Sequence, residues 1–275
     1  MKFLDFEYDG LHLSDFGFIA CQFEASSGMQ TMSAGSKITF SKVARDRGRR
    51  NSLVGTKYQD CLTCTFDICK NPDEYPDPLD MYIKNDEYRD IMRWLNRREF
   101  CVFRAIPEEC EEDDNIVTCK FNASFNIEKI KASEDLIGLR LTMETDRPFG
   151  FGDEIIKTMT FGQTTSYSVY DPSDEIGEFY PDLTITMSAS GDLIISNETL
   201  DVTMSVNNCS VGEVITIKGS EQIITTSIPE HDICNDFNYE FLRIGNTYHN
   251  RSNKITCDVA CTVKLSFCPV IKDTP

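Results

Sequence analysis

Apolar and polar residues alternate with a period of two along most of this chain, and this pattern limits its fold more than any other feature. The clearest run covers residues 117–128, where Val, Cys, Phe, Ala, Phe and Ile occupy every second position, and residues 139–144 repeat it. Successive side chains of a strand point to opposite faces, so these runs predict antiparallel strands with one face on a core. For a lone hairpin, the free energy gained by burying apolar side chains is about equal to the conformational entropy cost of ordering its residues. We therefore expect a second layer that covers the apolar faces of these strands.

One segment of the first half departs from this pattern and predicts a helix at about 86–97. Its apolar residues recur at helical spacing, and Asn85 or Asp86 can cap its start. Acidic residues fill the first turn and arginines lie near the C-terminal end, which suits the helix dipole. The residues on the apolar face are Tyr88, Ile91, Met92 and Leu95.

A proline and two glycines interrupt the alternation at residues 147–152, and we place a domain boundary there. Beyond it come only short alternating runs, such as 183–187, 202–206 and 263–267, with no helical pattern between them. Such spacing is typical of a β-sandwich. The chain is therefore predicted to be mainly β, with a helix-containing domain at 1–147 and a β-sandwich domain at 148–275.

Charge and hydropathy exclude several classes of partner. The formal net charge is −18 at pH 7, which opposes binding to phosphate backbones and anionic membranes. No apolar run approaches the roughly 18 residues of a membrane helix, and the acidic residues of the opening strand are incompatible with a signal peptide. We expect folding in a cytoplasm, no nucleic-acid or membrane partner, and mostly free thiols among the 12 cysteines. A disulfide framework is the alternative.

Motifs for catalysis or cofactor binding are missing from the sequence. There is no nucleophile elbow, phosphate-binding loop or dinucleotide fingerprint. His12, His231 and His249 are far apart, and we interpret residues 231–234 (His-Asp-Ile-Cys) as a surface loop. We therefore predict no catalytic residue, no metal and no cofactor.

Two cysteine spacings suggest metal or redox sites but fit strands better. Cys61 and Cys64 have the two-residue spacing of zinc and thioredoxin motifs. They lie in a segment that we predict to be a strand, where residues three apart point to opposite faces and cannot converge on one ion. Cys257 and Cys261 have a looser spacing and receive the same interpretation.

One basic segment stands out from the acidic background. Residues 42–51 are rich in arginine, contain glycine and have almost no apolar side chain. The segment is either a solvated hairpin tip or an arm that docks on an acidic neighbouring subunit, where a local cation cluster gives orientation and register. The candidate residues for an inter-subunit contact are Arg45, Arg47, Arg49 and Arg50.

The order of several short motifs resembles the distal tail proteins of long-tailed siphophages that infect Gram-positive bacteria. Residues 6–19 resemble the opening of that family, and the basic segment followed by 55–58 resembles its arm. Residues 87–95 resemble the helix of its first domain, while 181–185 and 241–248 resemble segments of its galectin-like domain.

This resemblance implies a virion protein of the tail tip, assembled in the host cytoplasm. The first domain, a β-sandwich with one helix and an extended hairpin arm at about 25–56, would close a hexameric ring, with the arm as a strap across each interface. The galectin-like β-sandwich would project outward. The implied partners are the tail tube protein, the tail-associated hub or lysin protein, and a receptor-binding protein.

An alternative function is a carbohydrate-binding adhesin that acts through the second domain. It is motivated by the predicted β-sandwich and by Tyr167, Tyr170 and Tyr248, which look exposed. Against it, the only tryptophan of the chain, Trp94, lies in the first domain and cannot stack on a sugar in the second. A galectin-like fold does not by itself imply sugar binding.

Overall fold

The computed structural model describes residues 3–23, 37–44, 51–58, 60–107, 119–162 and 166–272. The chain is mainly β, as predicted, and it divides into two compact units. The first comprises Met1–Gly152 and Ile271–Pro275, and the second comprises Asp153–Val270. The sequence-based division at 147/148 differs from this one in assigning residues 148–152 and 271–275 to the second domain.

The first unit contains ten described strands, one α-helix and a short 3₁₀ turn at Ser14–Phe16. Seven strands form one antiparallel sheet in the order β2-β1-β7-β8-β9-β6-β3, and β4 and β5 form a separate hairpin. The elements are β1 (Phe3–Tyr8), β2 (Leu11–His12), β3 (Phe18–Cys21), β4 (Ile38–Val43), β5 (Ser52–Tyr58), β6 (Thr63–Lys70), α1 (Asn85–Leu95), β7 (Cys101–Pro107), β8 (Phe121–Ala132), β9 (Asp135–Thr145) and β10 (Gly150–Phe151).

This seven-stranded sheet folds over itself and so supplies its own second layer. The rings of Phe3 in β1 and Phe66 in β6 have centroids 5.2 Å apart, although three strands lie between β1 and β6 in the sheet. In a flat sheet these strands would be separated by four spacings of about 4.8 Å, roughly 19 Å. Phe103 of β7 and Phe125 of β8 join the same aromatic cluster. The curled sheet thus encloses an aromatic core.

Helix α1 covers this core through the only tryptophan. The Trp94 ring stacks on Phe6 at 5.6 Å and on Phe16 at 4.5 Å, and its indole N–H donates a 2.9 Å hydrogen bond to the carbonyl oxygen of Tyr8. Ile91 and Leu95 of the helix are also buried. The helix predicted at about 86–97 therefore exists, and it ends at Leu95, one residue after the tryptophan that fixes it to the sheet.

A buried lysine ties the start of α1 to strand β6. The Lys70 side chain is only 1% exposed, and its Nζ donates a 2.7 Å hydrogen bond to Oε1 of Glu87. The ammonium also lies 4.1 Å from the ring centroid of Tyr75. The other oxygen of Glu87 accepts the backbone N–H of Lys84 at the helix start. Because a buried ammonium is costly without partners, these contacts hold the helix start, the strand end and the intervening loop together.

We expect Lys70→Met to lower the free energy of unfolding by about 2 kcal/mol, because it leaves the partly buried Glu87 carboxylate without its cation. Urea denaturation measures this change. Arg93→Ala is the matched control, since it removes an exposed ion pair with Asp90 on the same helix and should cost within about 0.5 kcal/mol. Equal stabilities of the two variants would contradict a structural role for Lys70.

The second unit is a sandwich of two antiparallel sheets with one short helix. The five-stranded sheet has the order β11-β21-β14-β17-β18, and the four-stranded sheet has the order β12-β20-β15-β16. The elements that complete the described chain are β11 (Ile155–Phe161), β12 (Ser166–Tyr170), β13 (Gly177–Phe179), β14 (Asp182–Met187), β15 (Gly191–Asn197), β16 (Val202–Cys209), β17 (Val214–Lys218), β18 (Ile223–Thr226), α2 (Ile233–Asp236), β19 (Ile244–Asn246), β20 (Ser252–Cys257), β21 (Cys261–Phe267) and β22 (Val270–Ile271).

The core of the second unit consists of the inward-facing residues of both sheets. Ile185 and Val263 from one sheet and Ile195 and Val206 from the other are fully buried. Every second residue of β21 is buried while its neighbours are partly or fully exposed, which is the alternation that the sequence displays. The β-sandwich predicted for this half of the chain is therefore confirmed.

Candidate assembly surface

The hairpin of β4 and β5 is the most exposed regular structure of the first unit, and we call it the arm (residues 38–43 and 52–58). Its two strands are antiparallel, with Ile38 opposite Tyr58 and Val43 opposite Ser52. Among the described strands they pair only with each other. Five apolar side chains of the arm are 49–68% exposed: Ile38, Phe40, Val43, Leu53 and Val54.

This hairpin differs from the other described strands because side chains on both of its faces are exposed. A two-stranded hairpin is marginally stable alone in water, and clustered exposed apolar side chains mark interaction surfaces. The described residues of the arm and its ends, 37–44 and 51–58, include exposed lysines and no acidic residue, in a chain of net charge −18. The arm is therefore an apolar and cationic surface on an acidic protein.

The predicted inter-subunit residues belong to the connection between the two arm strands. Arg45, Arg47, Arg49 and Arg50 lie outside the described residues, as do residues 25–36 at the start of the predicted arm. The described strands on either side form the extended hairpin that the sequence predicts. The contact role of these arginines stays a prediction.

Aromatic contacts fix the C-terminal end of the arm to the rest of the first unit. The ring of Tyr58, at the end of β5, meets the ring of Phe149 edge to face with centroids 4.4 Å apart. The ammonium of Lys272 lies 5.4 Å from the Phe149 ring centroid. The arm is thus anchored at one end while its strands project their side chains into solvent.

Of the three tyrosines that looked exposed, two are exposed and one is not. Tyr170 and Tyr248 are 60% and 79% exposed. Tyr167 is half-buried: its ring packs edge to face on Phe161, and its hydroxyl donates a 2.8 Å hydrogen bond to the carbonyl oxygen of Thr160. The expectation that Tyr167 is exposed is therefore wrong, because this side chain points inward and covers the edge of the core.

The cysteine pair with two-residue spacing does not lie on one strand. Cys61 is exposed and precedes β6, whereas Cys64 is within β6 and packs against the first core. In the described part of the chain, no group of three or more His, Cys, Asp or Glu side chains is arranged to hold a metal ion.

His231 differs most from its sequence interpretation. Its side chain is only 5% exposed and lies between two carboxylates, so it is not a solvated loop residue. Nδ1 is hydrogen-bonded to Oε1 of Glu213, and Nε2 lies 3.2 Å from Oδ2 of Asp236 without hydrogen-bond alignment. Glu213 precedes β17 and Asp236 ends α2, so the imidazole joins the short helix to the five-stranded sheet.

His231 and Glu213 stabilise each other's charged forms. Burial works against the charged imidazole, but the hydrogen bond that Nδ1 donates to Glu213 and the negative charges of Glu213 and Asp236 outweigh it and raise the pKa of His231 above 6.5. Burial likewise opposes ionisation of Glu213, but the Thr226 hydroxyl, the Ser210 N–H and His231 together hold its pKa below 4.5. Both groups are charged in the folded protein at mildly acidic pH.

We expect the stability of the second unit to depend on pH through this pair. The contribution of His231 is complete below pH 6.5, its ordinary pKa, and is lost as the pH rises through its higher folded pKa. The contribution of Glu213 is complete above pH 4.5 and is lost as the pH falls through its lower folded pKa. Thermal unfolding between pH 5 and 9 should show a fall in midpoint on the alkaline side that His231→Gln abolishes. The exposed His249→Gln is the control, and an identical alkaline fall in both variants would contradict the assignment.

Comparison with known families identifies the class of protein. Residues 1–147 match the family model described as a phage tail protein N-terminal domain, and residues 149–267 match the model described as a phage tail C-terminal domain. The two models together cover nearly the whole chain. The chain therefore belongs to this family of phage tail proteins.

Among solved structures, the chain is similar to Dit (gp 19.1) of phage SPP1, described as a paradigm of the hub adsorption apparatus in phages that infect Gram-positive bacteria. The two share 11% sequence identity over 96% of this chain and 98% of that chain, with a TM-score of 0.64. The resemblance to distal tail proteins is thus confirmed at the level of the fold. No curated protein matches the sequence. None of the described helices is long and apolar enough to cross a membrane.

Proposed function

We propose that this protein is a non-catalytic structural subunit of the phage tail tip, where copies of it form a closed ring through the arm. The ring, a hexamer by its resemblance to the distal tail proteins, connects the tail tube protein to the tail-associated hub or lysin protein and to a receptor-binding protein. Assembly takes place in the host cytoplasm. The observation that carries the proposal is an exposed, apolar and cationic hairpin on a chain of a phage tail family.

The charge distribution favours another copy of the same chain as the partner of the arm. A surface without acidic residues is attracted to a protein of net charge −18, and each copy offers both. The arm is not complementary to itself, since two arms would bring lysines and arginines together. Contact between an arm and a different surface of the next copy is heterologous, and its repetition closes a ring when the rotations between successive copies add up to a full turn.

The apolar side chains of the arm supply the burial that holds the ring together. We expect the double substitution Phe40→Ser and Val54→Ser to abolish higher oligomers while the monomer keeps its fold. Both side chains are exposed, so folding loses little. Light scattering after size exclusion, with and without hub protein, measures the mass. Leu79→Ser, which removes an exposed leucine outside the arm, is the matched control. A wild-type protein that stays strictly monomeric under both conditions would argue against the ring.

The basic connection gives the contact its register. Replacement of Arg45, Arg47, Arg49 and Arg50 by Ser should leave folding within about 0.5 kcal/mol per site but impair assembly and weaken its dependence on salt. Sedimentation velocity at low and high ionic strength measures this. The control replaces four cations elsewhere on the first unit: Arg89, Arg93, Arg98 and Lys131, which are exposed. Unchanged ring formation in the arm variant would contradict the hypothesis that the arm acts as a strap across each subunit interface.

Carbohydrate binding by the second unit is the alternative function, and the β-sandwich with the exposed rings of Tyr170 and Tyr248 favours it. Exposed aromatic rings can stack on sugars, but no tryptophan is present in this unit. A glycan array probed with the full-length protein tests the idea, with Tyr170→Ala and Tyr248→Ala as comparison variants. An array on which the protein binds no glycan would contradict a carbohydrate-binding function.

A further inference from the structure

Two buried thiols meet at a corner of the second unit. Cys257 is the last residue of β20 in the four-stranded sheet, and Cys261 is the first residue of β21 in the five-stranded sheet. Their sulfur atoms lie 3.5 Å apart, and both residues are buried. The pair therefore spans the two layers of the sandwich, at the point where the chain passes from one sheet to the other.

The turn between the two cysteines is held from both sides. The backbone N–H of Asp258 donates to the carbonyl oxygen of Ile194 at 3.1 Å, and the carbonyl oxygen of Ala260 accepts the N–H of Ser188 at 2.9 Å. The side chain of Val259 packs against the core. Because the turn is anchored to both sheets, the two sulfur atoms are held in contact rather than brought together by chance motion.

The contact between the two sulfur atoms shifts the pKa values of the two thiols in opposite directions. The hydrogen bond donated by Cys261 favours the thiolate of Cys257 and lowers the pKa of Cys257 despite its burial. The same hydrogen bond and burial raise the pKa of Cys261. One sulfur is thus the better nucleophile, and the other stays protonated beside it, which is the arrangement that a resolving thiol requires.

We propose that Cys257 and Cys261 form a latent disulfide that closes on exposure to a small hydroperoxide. The Cys257 thiolate attacks one peroxide oxygen, the O–O bond breaks, and hydroxide leaves and takes up the proton that Cys257 released. The Cys261 sulfur then attacks the sulfenic sulfur of Cys257, the S–O bond breaks, and the second hydroxyl leaves as water with the proton of Cys261. Two thiols and one hydrogen peroxide give one disulfide and two waters.

Geometry and burial favour this product and this oxidant. A disulfide bond is about 2.05 Å long, so each sulfur moves by less than an ångström from the observed contact. Hydrogen peroxide is little larger than water and reaches buried sites that exclude larger disulfide reagents. The new bond would join the two sheets covalently and restrict the unfolded chain, so the oxidised second unit should resist unfolding.

The test uses the full-length wild-type protein and one tryptic peptide. Exposed thiols, such as those of Cys61 and Cys234, are first blocked under native conditions with iodoacetamide. The protein is then treated with hydrogen peroxide, unfolded, alkylated again and digested. Cleavage after Lys254 and Lys264 releases residues 255–264, which contain Cys257 and Cys261 and no other cysteine. We expect this peptide to have lost two hydrogens, to carry no alkyl group, and to accept two alkyl groups only after reduction.

Two variants and one thermal measurement make the outcome decisive. Cys209→Ala removes another buried thiol of the same core and should form the disulfide like the wild type, and Cys261→Ala should leave a sulfenic acid on Cys257 that dimedone captures. Oxidation of the wild type should raise the thermal midpoint of the second unit by about 5 °C. The proposal is overturned if peptide 255–264 from peroxide-treated wild type carries two alkyl groups, or if Cys257 reaches the sulfinic acid while Cys261 is still alkylated.

Discussion

Every alternating strand of this protein has an apolar face that must be covered, and the fold depends on how each face is covered. In the first unit one sheet curls until Phe3 and Phe66, from strands far apart in the sheet, are in contact. In the second unit two sheets cover each other. Among the described elements the arm is the exception, because its strands pair only with each other and most of their side chains are exposed. This uncovered hairpin of the first unit is the surface for which we propose a partner.

The periodicity of the sequence predicts the elements because it is a local property. The runs at 183–187, 202–206 and 263–267 are strands β14, β16 and β21, and the helix lies within a residue or two of its predicted range. The sequence predicts a strand that includes Cys61, whereas β6 begins two residues later, at Thr63. An exposed hairpin was predictable for a related reason: a basic segment almost without apolar residues, between two runs of strand character, has no core to join.

Contacts between distant residues were beyond this kind of prediction. Nothing near Lys70 in the sequence distinguishes it from a surface lysine, and only the fold places Glu87 and Tyr75 around it. The sequence predicts a surface loop around His231, whereas the carboxylates on either side of its buried imidazole come from Glu213 and Asp236, which are not its neighbours in the sequence. Asn253 is a further case: its buried side chain bonds both backbone groups of Gly245 and so replaces a strand neighbour. Buried polar groups satisfy each other in space, and sequence order does not record which groups meet.

In each subunit the apolar cores are buried and the arm is exposed, and this difference affects how a ring of such subunits would assemble. Each unit encloses its own apolar core, so association is not needed to complete the fold of either. Subunits of this kind can fold first and associate afterwards. In the ring that we propose, the free energy of assembly would come from a small apolar surface and from attraction between a cationic arm and an acidic protein. Because salt screens the second contribution and not the first, ionic strength separates the two. An arm held mainly by its apolar side chains would leave rings intact at high salt, and an arm held mainly by its arginines would release them.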